Sequence, residues 1–375
     1  MKTIRRFCSI SAQIVDNSIT FSSSCALSNV RASALFLRDN IQNSQCFDNR
    51  GKQRLINPLS VDLHTQLSDV KLIGDSLNVK FSDYPDEVSY PLQWIRDNCG
   101  PSIPTLPFLW GKKLFEDVEV KKYFSYEDIM NSNETLKSFY ENFIKYGIAF
   151  VSDTPVSKEA TVNVCERVGV IASSHFGDAW ILTAQDDSFA DTAYTTSALR
   201  AHNDTCYYDT PLGVQVFHCL KHDGEGGRSL FVDGFYCATK LKEHSPESFH
   251  HLSTLPVEYV YIEPGKNILK NITPVFTFCS DGKSLKRLCY NDYDRSIHQN
   301  LTSKEHFDFY SALKKLAEIV QCPSSEVFVK LTPGTVCFID NWRVMHGRES
   351  FNGERVICGA YLTRSDYLSR AAQLD

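Results

Sequence analysis

Beyond residue 147 the chain is built from short apolar and β-branched runs that are too brief for helices and too apolar for loops. They are Gly147–Val151, Gly213–Leu220, Arg228–Val232, Val327–Leu331, Thr335–Ile339 and Val356–Leu362. Many such runs separated by long connections predict strands packed as the two sheets of a jelly roll. Leu136, Phe139, Tyr140, Phe143 and Ile144 recur at helical spacing before the first run, so helices are expected to flank a mainly β body. The region upstream has its own pattern. Ile14–Phe21 reads as a strand and turn, and Asp69–Phe81 as a hairpin around Gly74-Asp75. Pro101, Pro104 and Pro107 then mark a boundary. The expectation is a small β-rich domain over residues 13–110, followed by a double-stranded β-helix (jelly roll) domain over 111–375.

Composition narrows the functional classes. A net charge of −6 over 375 residues provides no basic footprint for nucleic acid. No apolar run approaches the roughly 20 residues needed to cross a bilayer, so no membrane partner is expected. Thirteen cysteines are scattered without a Cys-x-x-Cys pair and read as reduced, mostly buried thiols. Residues 1–12 contain Lys2, Arg5 and Arg6, and no acidic residue precedes Asp16. That pattern suits a short mitochondrial presequence and equally a frayed basic terminus. The corresponding locations are the mitochondrial matrix and, as the alternative, the cytoplasm.

Two His-x-Asp triplets carry the candidate chemistry. His202-Asn203-Asp204 lies in a stretch, Leu199–Tyr208, without helical periodicity. On an extended backbone, residues two apart share a face, so both side chains would reach one ion. His306-Phe307-Asp308 has the same composition in another context. Thr302 and Glu305 look like a capping box there, and Phe309, Leu313, Leu316 and Val320 recur at helical spacing. Its two polar side chains therefore diverge. A lone triplet is more often a surface histidine beside a solvated aspartate. His346 adds a third ligand, delivered by a short loop after a strand that ends at Asp340-Asn341. Two imidazoles and one carboxylate on one face of iron leave positions open for a cosubstrate and O2. Arg355 opens the last strand nine residues later and offers a guanidinium to the far carboxylate of a dicarboxylic 2-oxo acid. A metal-dependent hydrolase would also use His, Asp and His but has no need of Arg355, and a jelly roll that binds ligand without turnover is a third reading.

Several longer segments extend this pattern. Asp191–Thr195, Gly213–His222, Gly226–Leu230, Val232–Tyr236, Tyr290–Arg295 and Phe338–Arg343 together resemble the Fe(II)/2-oxoglutarate dioxygenases of the clavaminate synthase-like group. Within that group the likeness is to the carnitine-biosynthesis branch of trimethyllysine and γ-butyrobetaine dioxygenases, over nearly the whole chain from about residue 30. The resemblance implies His202, Asp204 and His346 as Fe(2+) ligands, and Arg355 and Ser229 on the distal carboxylate of 2-oxoglutarate. It also implies O2 as cosubstrate, L-ascorbate as a supporting reductant and a homodimer. The substrate it implies is a small quaternary ammonium compound, N6,N6,N6-trimethyllysine hydroxylated at C3, with γ-butyrobetaine as the alternative. A trimethylammonium group has no N–H to donate, so aromatic faces hold it best. The resemblance places Phe176, Trp180 and Tyr194 in that cage, with Asp233 and Asn291 as polar partners. Relatives bind zinc in the N-terminal domain, but the corresponding positions here are Ile41, Asn43, Cys46 and Val88. One thiolate cannot make a tetrahedral structural site, so no zinc is expected there.

Overall fold

A computed structural model describes residues 10–22, 27–28, 30–100, 107–116, 120–183, 195–296 and 301–374. The chain divides into two compact units, up to Thr105 and from Leu106 onward. In the first, Ser11–Val15, Ser18–Ser22 and Arg31–Ser33 form one three-stranded sheet, and Leu67–Ile73, Ser76–Phe81 and Val88–Pro91 form another. The hairpin turns at Gly74-Asp75, where Ile73 pairs with Ser76. Ile41, Cys46 and Val88 pack into this unit's apolar core with Leu37, Leu77, Val79 and Tyr90.

The second unit contains a six-stranded and a four-stranded sheet, the two-layer arrangement expected of a jelly roll. The larger sheet runs in the order Ala179–Thr183, Arg355–Leu362, Val214–His222, Val336–Asp340, Ile148–Ser152, Tyr123–Ser125. The smaller runs Leu199–His202, Val344–Arg348, Ser229–Asp233, Val327–Val329. Strand alternation assigns the two faces of each sheet. Cys337 and Ile339 join Phe150, Phe231 and Val344 in the core between the sheets. Their neighbours Val336 and Phe338 instead pack outward with Phe139, Phe143 and Val164 of the helices Asn133–Tyr146 and Lys158–Val168. The outer face of the smaller sheet is covered in the same way. Leu230, Val232 and Met345 share a core with the helices Gly234–His244, Pro246–Thr254 and Ser303–Val320.

The helix Asn133–Tyr146 starts where the Ser132 hydroxyl accepts the Thr135 N–H, and stops at Gly147, which has φ 73°. A Cβ there would meet Val344 at 2.9 Å, so the glycine both turns the chain and admits the opposite sheet. Helical content exceeds what the strand-rich sequence suggests. The second outer layer comes from stretches whose apolar residues are matched by the back of the smaller sheet.

Candidate active site

The alternation that builds the inter-sheet core also loads one end of it with polar groups. His346 and Arg348 share a face with Val344, Ser229 shares one with Phe231, and Arg355 shares one with Ile357 and Tyr361. All of these except Val344 line a single cavity of roughly 950 Å³, counted to its open mouth. His202 and His346 are register partners on adjacent strands, with ring centroids 4.7 Å apart. His346 therefore sits on the strand Val344–Arg348 rather than on a loop. The loop expected from the sequence shrinks to the tight turn after Asp340, because Asn341 and Trp342 turn the chain directly into the next sheet.

Asp204 lies just past the end of its strand. The chain turns back at Thr205, which has φ 58°. Asn341 clamps that turn: its Oδ1 accepts the Asp204 N–H at 2.9 Å, and its Nδ2 donates to the Asp204 carbonyl at 2.9 Å. The intervening Asn203 is buried and donates to the Asn341 carbonyl at 2.8 Å. One donor atom from each of His202, Asp204 and His346 lies within 4.8 Å of the others. Asp204 Oδ1 is 3.4 Å from His202 Nε2 and 3.6 Å from His346 Nε2. Ligands about 2.1 Å from one metal ion at right angles would be about 3 Å apart, so the three atoms are arranged to hold a divalent ion with little movement.

The surrounding hydrogen bonds fit the same role. His202 Nδ1–H donates to the Arg200 carbonyl at 2.7 Å, which leaves the Nε2 lone pair facing the centre. Tyr361 donates its hydroxyl to Asp204 Oδ2 at 2.8 Å. Burial opposes charge on Asp204, but His346, His202 and the Tyr361 hydroxyl outweigh it and hold the carboxyl below its ordinary range. Burial pushes His346 down to about 4, keeping it in the neutral, lone-pair-donating form. Burial acts against charge on His202 too, but Asp204 and the Arg200 carbonyl leave it raised. An ionised carboxylate among imidazoles favours one positive charge at the centre, the place a divalent cation takes.

A family description, taurine catabolism dioxygenase TauD, TfdA family, matches residues 110–361. The chain belongs to the TauD/TfdA dioxygenase family. It is 39% identical over 354 residues to mouse mitochondrial trimethyllysine dioxygenase, covering 92% of this chain and 83% of the relative. Identity to the human mitochondrial trimethyllysine dioxygenase is 38% over the same shares. Human γ-butyrobetaine dioxygenase is 26% identical over 359 residues, 90% of this chain and 89% of that one.

In this TauD/TfdA dioxygenase, Ser229 and Arg355 lie on the cavity wall with the triad. Arg355 is buried, and among the described residues no carboxylate pairs with it. Burial first, and the neighbouring Arg348 second, push its guanidinium down to about 10, still protonated at neutral pH. A buried cation with no carboxylate beside it favours an anionic ligand. Phe176 and Trp180 also line the cavity, with ring centroids 5.7 Å apart. Trp180 lies across the strand opposite Gly359, where a Cβ would come within 2.6 Å of the indole. That absent side chain lets the indole reach Tyr361, at a centroid distance of 4.7 Å. Tyr194 lies outside the described residues.

Asp233 is not part of the cavity. It is fully buried, caps the helix Gly234–His244 through the N–H groups of Phe235 and Tyr236, and pairs with Arg343 at 2.8 Å. Its place at the end of the strand Ser229–Asp233 carries it past the cavity to the helix. Asn291 does line the cavity, but its amide is already committed. Nδ2 donates to the Asn203 carbonyl at 3.1 Å and to Asp294 Oδ2 at 2.6 Å, while Oδ1 accepts the Tyr293 N–H at 2.9 Å. Asn291 thus orients Asp294, a cavity carboxylate that the sequence did not single out. Tyr207 and Tyr361 were missed as well. Tyr361 had a signal in its strand parity with Arg355, whereas Asp294 had none beyond its segment.

Proposed function

We propose that this protein is an Fe(II)- and 2-oxoglutarate-dependent dioxygenase that hydroxylates N6,N6,N6-trimethyllysine at C3. The observation that carries the reading is one cavity containing both a facial His202, Asp204, His346 triad and the buried guanidinium of Arg355, with which no carboxylate among the described residues pairs. A hydrolase needs the first and has no use for the second. Iron(II) bound by the triad would supply O2 activation and, with oxidative decarboxylation of 2-oxoglutarate to succinate and CO2, the oxidising power for C–H hydroxylation.

The chain's own residues bind and orient. Arg355 pairs with the distal carboxylate of 2-oxoglutarate, and the buried Ser229 hydroxyl adds a hydrogen bond to the same group. Phe176 and Trp180 turn aromatic faces to the trimethylammonium group, and Tyr194 is assigned to the same cage from the resemblance. Asp294, a cavity carboxylate held by Asn291, is assigned to the amino-acid end of the substrate. Trimethyllysine carries an α-ammonium group there and γ-butyrobetaine does not, so a carboxylate at that end favours trimethyllysine. Supporting ascorbate, a homodimeric assembly and a mitochondrial location complete the reading. The first two rest on the family resemblance, and the third on the mitochondrial names of the mouse and human relatives.

The test is succinate release from 2-oxoglutarate with each betaine offered separately, with and without O2. Trimethyllysine is expected to give faster, O2-dependent release and a product heavier by one oxygen. Faster coupled turnover of γ-butyrobetaine would overturn the substrate assignment, and O2-independent turnover would overturn the reaction class.

A further inference from the structure

We infer that Tyr361 is a positioning residue that couples occupancy of the aromatic compartment to the orientation of the metal-binding carboxylate. The inference rests on the iron and 2-oxoglutarate reading of the centre. Tyr361 touches both halves of the site: its ring packs on Trp180 at 4.7 Å, and its hydroxyl donates to Asp204 Oδ2 at 2.8 Å. The backbone beneath it is rigid. Tyr361 pairs with Gln215 in the interior of the six-stranded sheet, and its carbonyl accepts the Ala172 N–H at 2.9 Å.

The hydrogen bond has a geometric consequence. With Oδ2 held by the phenol, Oδ1 is the single Asp204 oxygen left facing the two imidazole nitrogens. A carboxylate free to rotate could present both oxygens and occupy a position that cosubstrate and O2 require. A cation seated against Trp180 presses on the ring that carries the phenol, so substrate and metal ligand share one rigid element. Linkage then requires each ligand to strengthen the other by the same factor.

Removal of the hydroxyl in Tyr361→Phe keeps the π face and isolates the hydrogen bond. Mn(II) affinity would be measured by calorimetry without O2, in the absence and in the presence of saturating trimethyllysine, with a thermal melt to confirm folding. Wild type is expected to bind Mn(II) at least about 5-fold tighter when trimethyllysine is present. Tyr361→Phe should lose that enhancement and bind Mn(II) roughly 10-fold more weakly. Its succinate release should also run ahead of hydroxylated product. Trp180→Phe should raise KM for trimethyllysine and leave Mn(II) affinity without substrate unchanged. No enhancement in wild type, or an enhancement that persists in Tyr361→Phe, overturns the coupling. Failure of wild type to bind Mn(II) at all would overturn the metal centre as well.

Discussion

His202-Asn203-Asp204 and His306-Phe307-Asp308 have the same outer residues and opposite fates. The first straddles a strand end and a turn clamped by Asn341, and both its polar side chains reach a cavity. The second lies on the helix Ser303–Val320, whose capping box of Thr302 and Glu305 fixes the helical register. Asp308 there turns to Lys304, one helical turn earlier, at 2.5 Å. The difference shows that a ligand pair is a property of backbone geometry and of what lies across the sheet, not of the triplet.

The strongest way to break this comparison is to treat both triplets alike. His202→Ala should reduce O2-dependent succinate release to background while His306→Ala retains wild-type rates, and activity retained in the first or lost in the second would refute the distinction. Asp233 then tests whether a buried carboxylate near the site must serve it. Asp233→Ala leaves Arg343 charged and buried, and should cost about 3–5 kcal/mol of stability. Denaturant melts should show that loss with KM for trimethyllysine unchanged; a large KM effect at full stability would return Asp233 to substrate binding. Arg355→Ala should raise KM for 2-oxoglutarate on the order of 100-fold, the scale of a buried charge-assisted contact. Arg355→Lys should recover part of it.

Smaller effects sharpen the comparison at the substrate end. Asp294→Asn should raise KM for trimethyllysine about 10-fold, less than a buried pair would show because the carboxylate is partly exposed. Parallel turnover of γ-butyrobetaine should be unaffected, and equal losses on both substrates would remove Asp294 from specificity. Asp308→Ala, which breaks only the solvent-side pair with Lys304, should change stability by less than about 0.5 kcal/mol.

Strand parity explains how far the site was legible. Ser229 lies on a run recognisable from its apolar pattern and Arg355 opens another, and every second residue along those runs faces the same way, whereas the sequence pattern put His346 on a loop. The same rule would have found Tyr361, six residues after Arg355 on one strand. It could not find Asp294, which enters through an irregular segment whose course depends on Asn291 and Asn203. Nor did it bear on Asp233, named as a polar partner of the substrate, which stands at a strand end where a helix starts.

The sequence by itself determined the strand-rich body and the capped helix that carries the second triplet, because these follow from local periodicity and capping. Only the tertiary structure decided that His346 stands on a strand opposite His202, that Arg343 claims Asp233, and that Tyr361 joins the aromatic wall to Asp204. Those contacts join residues 110 or more positions apart. They depend on sheet register and side-chain reach, which no local pattern encodes.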